Sequence, residues 1–233
     1  MSSHYIKNFK SVLAFGDSHV AGCELSHELS IEECLKNNIS IETADEPGKQ
    51  LAFPKIVADA LGIPCYNYAM TGGSNARSLR LLVKALQAHP DSLVLFGYTC
   101  TDRSEFYYPD PGNFLGRDKD NFIQVGVQWD IVGIKHIIND LFVKHIVRFY
   151  NDLEEVMFYS QCACEKYNSQ IIHLPLFLEK IPKIENVFNY EGYENYISWC
   201  QAKGFKQMPF YHYDIEAHRE LAQLILNTLN KRE

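Results

Sequence analysis

The stretch Val12-Leu-Ala-Phe-Gly-Asp-Ser18 constrains this chain more than any other. Val12 to Phe15 is an apolar run of the length and type of a buried strand. No polar residue alternates within it, so the strand is expected to be covered on both faces, as central parallel strands are. The run breaks at Gly16-Asp17-Ser18. A serine at that point sits on a turn at the carboxyl edge of a sheet, where open α/β sheets bind ligands. All three residues also favour turns, so the triplet by itself fits an ordinary turn as well.

The rest of the chain repeats the pattern of strand, loop and helix. Residues 24–50 are polar and acidic, with Glu24, Glu28, Glu32, Glu33, Glu42, Asp45 and Glu46, and are expected to form a surface excursion with a short helix at 31–36. Phe53 to Leu61 has helical periodicity and is stopped by Gly62 and Pro64. Cys65 to Ala69 is a second strand, followed by the glycine-rich turn Thr71-Gly-Gly-Ser-Asn75 and a helix over 76–89. A third strand, Ser92 to Phe96, ends at Gly97-Tyr-Thr99. Residues 98–130 break the rhythm with an aromatic segment long enough for a lid or binding loop. Helical periodicity resumes over 131–167, and Gln170 to Leu174 is a fourth strand. A second aromatic insertion covers 179–200, and Asp214 to Leu229 is a terminal helix. This order predicts one α/β domain over 1–233: a doubly wound α/β/α sandwich with a parallel sheet of four or five strands. Three strand ends that turn from apolar to small and polar, at Ser18, Gly72 and Thr99, then converge on one edge.

Composition excludes several classes. The net charge is −7 with no dense Lys/Arg run, which argues against nucleic acid as a partner. No stretch approaches the length of a membrane span, and the N-terminus lacks the apolar core of a secretory signal, so a cytoplasmic protein is expected. Seven scattered cysteines form no zinc-type set and fit reduced thiols. No cofactor and no metal ligand set is expected.

A serine nucleophile needs a base and donors for the oxyanion. Of nine histidines, His212 is the best placed, just before the terminal helix; His218 falls on that helix as a packing residue. These residues resemble the blocks of the SGNH, or GDSL-type, hydrolases. Gly16-Asp-Ser18 resembles the first block, Asn67-Tyr-Ala-Met-Thr-Gly72-Gly-Ser-Asn75 the second, Gly97-Tyr-Thr99 the third, and His212-Tyr-Asp-Ile-Glu-Ala-His218 the last. Gly97-Tyr-Thr99 with Asp102-Arg103 is closest to divergent members from bacteriophages and marine bacteria.

The resemblance implies a flavodoxin-like SGNH sandwich and a serine esterase or lipase-like activity on an acyl ester, such as a glycan O-acetyl group. It casts Ser18 as nucleophile and His212 as base. The oxyanion donors are the amides of Ser18 and Gly72 together with Thr99 or Asn75; Gly73 competes with Gly72, and Asn75 also suits a helix N-cap. Asp17 is expected to bond nearby amides. Arg103 is placed either on an anionic substrate group or in a salt bridge to Asp102 or Glu105. Two departures stand out: Thr99 replaces the family's asparagine, and Pro209 occupies the position of its triad acid. A backbone carbonyl or water is therefore expected on the second ring nitrogen of His212. The competing reading is a catalytically degenerate SGNH-like binding or structural module, for example in a phage particle.

Overall fold

In the computed structural model, the described residues are 8–26, 37, 39, 41–100, 103–107, 122–126, 153–177, 184–209 and 211–231. The frame is a four-stranded, all-parallel sheet in the order β2-β1-β3-β6. Its strands are β1 (Ser11–Phe15), β2 (Cys65–Asn67), β3 (Ser92–Tyr98) and β6 (Gln170–Pro175). The remaining two, β4 (Arg103–Tyr107) and β5 (Phe122–Gly126), pair antiparallel in a separate ribbon within the expected long insertion.

Side chains of a strand alternate between faces, and here both faces are covered. Val12 and Ala14, with Leu93, Leu95, Ile172 and Leu174, share a core with residues of the helices Phe53–Leu61 and Ile215–Lys231. Leu13 and Phe15, with Val94, Phe96 and Ile171, share the opposite core with residues of the helix Asn75–Ala88 and of a helix over 153–166. This is the expected α/β/α sandwich with β1 inside it. All of β1 and β3 is buried, which explains why neither run carries a charge.

The order β2-β1-β3 means the chain leaves β1 to one side and returns to pair with its other side. The crevice at the carboxyl ends of β1 and β3 is thus a topological switch point, and Ser18 and Thr99 lie just beyond those ends. Strand and helix boundaries differ from expectation by at most two residues, and Phe53–Leu61 matches at both ends. The helix expected at 31–36, the part of the long helix before 153 that holds His136 and His145, and Asp102 lie outside the described residues.

Two histidines are built into the cores. His218 stacks on Phe53 and accepts from its backbone N–H at 3.1 Å. His173 is fully buried, with Nδ1 2.8 Å from the Tyr98 hydroxyl. Burial pushes His173 down to about 4; burial, then the charges of His19 and His212, pushes His218 down to about 3. Unfolding releases both rings to the ordinary value of 6.5. Below that value the unfolded chain binds the extra protons, so stability falls as pH falls. We expect urea midpoints to decline steadily from pH 7 to pH 4.5, and His218→Gln to decline less steeply over that range; parallel slopes would contradict this assignment.

Candidate active site

The chain leaves β1 through Gly16 and enters a one-turn helix, Ser18–Ala21. Asp17 caps it by accepting the His19 backbone N–H at 3.0 Å. Gly22 ends it in the left-handed region, φ 78°, and the amides of Gly22 and Cys23 both bond the Ser18 carbonyl, at 2.9 and 3.0 Å. Asn67, at the end of β2, donates to the Val20 carbonyl at 2.9 Å and so ties this turn to the sheet. Ser18 is thereby held on a sharp strand-to-helix turn, 6% exposed. Its hydroxyl and its backbone N–H make no hydrogen bond with the described residues.

Asp17 is wholly buried and anchors a network. One carboxylate oxygen accepts from the Thr99 hydroxyl at 2.8 Å and from Arg103 Nη1 at 2.9 Å. Arg103 Nη1 also donates to Thr99 Oγ1 at 2.9 Å. Burial by itself would raise the pKa of Asp17. His19, Arg103 and Thr99 outweigh it and hold the carboxyl well below the usual range.

The second block is built just as tightly. Asp45, buried, accepts from the Thr71 N–H at 2.7 Å and the Thr71 hydroxyl at 2.8 Å. Burial pushes Asp45 up, and the Thr71 bonds oppose it. Gly72 is left-handed at φ 73°. A Cβ on Gly73 would stand 2.8 Å from the Gly16 carbonyl oxygen. The Gly73 N–H is spent on the Met70 carbonyl at 2.8 Å, whereas the Gly72 N–H is free among the described residues. The helix that follows is capped by Ser74, whose Oγ accepts from Arg77 N at 3.2 Å; Asn75 is not the cap. Asn75 instead exchanges two bonds with the Thr99 backbone, at 3.1 and 2.9 Å.

His212 arrives on a hairpin. Gln207 and Tyr213 pair, Met208 N–H bonds the His212 carbonyl at 2.8 Å, and Tyr211 N–H bonds the Met208 carbonyl at 3.1 Å. Pro209 lies inside that turn, where its fixed φ suits it. Asp214 Oδ1 accepts from the Ala217 N–H at 3.3 Å, a capping bond at the start of the terminal helix. The partner of His212 is neither a carbonyl nor water: Nδ1 lies 2.8 Å from Glu24 Oε2. The His212 side chain is 12% exposed and that of Glu24 10%. The other ring nitrogen, Nε2, makes no hydrogen bond with the described residues. The His19 ring packs against that of His212, centroids 4.9 Å apart, with Phe177 at its edge. Burial first, and then the charge of His19, lowers the His212 pKa; Glu24 opposes both.

The structure thus brings Ser18, Gly72, Asn75, Thr99, Arg103 and His212 to one edge, yet no hydrogen bond joins Ser18 Oγ to His212. Arg103 pairs with Asp17, while Glu105 takes both Nε and Nη2 of Arg80 at 2.8 Å. In the sequence Glu24 is only one member of an acidic run expected at the surface. The signal in its favour is the glycine at 22, which ends a one-turn helix and sends the chain back over Ser18.

No protein-family model matches the chain, and no curated protein matches it. Solved structures with a related outline include a carbohydrate esterase with divergent catalytic and non-catalytic binding functions (16% identity, TM-score 0.40, covering 95% of this chain and 68% of that one). A carbohydrate esterase family 2 enzyme of Myceliophthora fergusii with its carbohydrate-binding domain gives 12% identity and a TM-score of 0.45, over 94% of this chain and 65% of that one. A catalytic mutant of an acetylxylan esterase from Geobacillus stearothermophilus gives 12% identity and 0.37, over 94% of both.

Losing one member of a buried ion pair leaves the other charge uncompensated, at a cost of about 3–5 kcal/mol. Asp17→Asn should therefore lower the unfolding free energy, read from the urea transition, by that order. Arg103→Met in the same background should recover part of the loss. Strict additivity of the two changes would mean that the pair is not coupled.

Proposed function

We propose that this chain is a serine hydrolase of acyl esters, with Ser18 as nucleophile and His212 as base. The observation that carries the reading is the state of the two ring nitrogens. Nδ1 of His212 is engaged and Nε2 is not, on the edge where an unbonded serine hydroxyl and two unbonded amides also lie. A ring fixed through one nitrogen presents the other as a proton acceptor.

In this mechanism Nε2 takes the Ser18 proton as Oγ attacks the ester carbonyl. The amides of Ser18 and Gly72 hold the oxyanion. The third donor is the second N–H of the Asn75 amide, since an amide nitrogen carries two and the Thr99 backbone uses one. Thr99 and Arg103 stay with Asp17. The C–O bond to the alcohol then breaks, and the imidazolium returns its proton to that oxygen. Water, deprotonated by His212, releases the acid and frees Ser18.

A glycan O-acetyl group is the ester we favour. Tyr211, 75% exposed and adjacent to His212, offers an aromatic face on which a sugar ring can stack. The non-catalytic module remains the second reading, favoured by the missing bond between Ser18 and His212. Hydrolysis of p-nitrophenyl acetate separates the two. We expect turnover that falls by roughly 10³-fold or more in both Ser18→Ala and His212→Ala, with folding intact. Equal rates in wild type and Ser18→Ala would favour the binding module. Release of acetate from acetylated xylo-oligosaccharides, compared with Tyr211→Ala, tests the glycan preference.

A further inference from the structure

We infer that Glu24 is the carboxylate that positions His212, replacing an acid on the histidine's own loop with one on the nucleophile's turn. This inference rests on the serine hydrolase reading.

Three observations carry it. The contact is a short one between two largely buried side chains: Nδ1 to Oε2 is 2.8 Å, with 12% and 10% exposure. Such a pair holds a ring orientation that an exposed pair would not. The backbone is also arranged to deliver it. Gly22 is left-handed at φ 78° and Glu24 at φ 66°, a region that a residue with a long side chain rarely adopts. These two reversals fold the chain directly after the Ser18 helix, so nucleophile and carboxylate are six positions apart. Finally, the histidine loop has no acid to offer. Pro209 is in the turn, and Asp214 is spent on the amide of Ala217.

The need for a carboxylate follows from what surrounds the ring. Burial and the neighbouring imidazole of His19 both oppose a charged His212. Asp17 is the other nearby carboxylate, and it is committed to Arg103 and Thr99. Among the described residues, Glu24 is the carboxylate hydrogen-bonded to the ring, and it stabilises the imidazolium that forms as Ser18 loses its proton. Accepting from Nδ1–H also selects the tautomer whose lone pair is on Nε2.

The test compares Glu24→Gln and Glu24→Asp with wild type, reading both kinetics and the NMR titration of the His212 ring. Glu24→Gln keeps the shape and loses the charge. We expect kcat to fall by roughly 10²- to 10⁴-fold with KM little changed. The His212 titration, and the acid limb of kcat/KM with it, should move to lower pH. Glu24→Asp should restore part of both. A Glu24→Gln enzyme within a few-fold of wild type, or a His212 titration that does not move, would overturn the proposal. So would a loss of rate with an unmoved titration, which is what a merely structural role gives. Wild type without Ser18-dependent turnover overturns the hydrolase reading and the catalytic role of Glu24 together. The titration then still reports whether Glu24 sets the charge of His212.

Discussion

The buried carboxylate of Asp17 is the interaction on which the rest of the edge depends. It sits one residue before Ser18 and caps the one-turn helix that presents it. Through Thr99 it reaches the end of β3, and through Arg103 the start of β4. A lone carboxylate in that position would be forbidding, because desolvation penalises the charged form. His19, the Arg103 guanidinium and the Thr99 hydroxyl together reverse the penalty and hold it ionised. One group thereby fixes the loop after β1, the loop after β3 and the entry to the ribbon. Asn75 extends the same lattice by bonding the Thr99 backbone, which binds in the helix that follows the Gly72 turn.

The histidine side is arranged on the opposite principle. Where Asp17 is saturated, His19 has no hydrogen bond on either ring nitrogen, although Nδ1 lies 3.5 Å from Asp17 Oδ1. Its ring is packed by Phe177, Tyr196 and His212. At that spacing a charge on His19 opposes one on His212. The pair is flanked by one carboxylate on each side, Asp17 at His19 and Glu24 at His212, and only the second makes a short contact. Glu24, supplied from the neighbouring turn, thus opposes the burial and the His19 charge that lower the His212 pKa.

Much of the frame was legible in the sequence because it obeys local rules. An unbroken apolar run predicted β1 as a doubly covered strand, and it is; the Gly-Gly and Gly-Tyr-Thr ends mark the edge they were expected to mark. That the Gly73 amide is bonded to Met70, that Ser74 is the cap and that Asp17 is the partner of Arg103 needed coordinates. Each depends on which of two adjacent groups a distant backbone satisfies. Glu24 was the hardest case. It lies 188 positions from His212, in a run of acidic residues that composition assigns to solvent. Nothing in residue type separates it from Glu28 or Glu32. What does is the left-handed turn at Gly22, and only in three dimensions does that turn point at a histidine.

The account turns on whether Ser18 forms a covalent intermediate. Acid quenching during turnover of p-nitrophenyl acetate, followed by peptide mass spectrometry, observes that directly. The account predicts one acetyl group on the peptide containing Ser18, located on its Oγ, absent from Ser18→Ala and lost on renewed incubation at neutral pH. Acetylation confined to lysines or cysteines, at equal levels in wild type and Ser18→Ala, would contradict it.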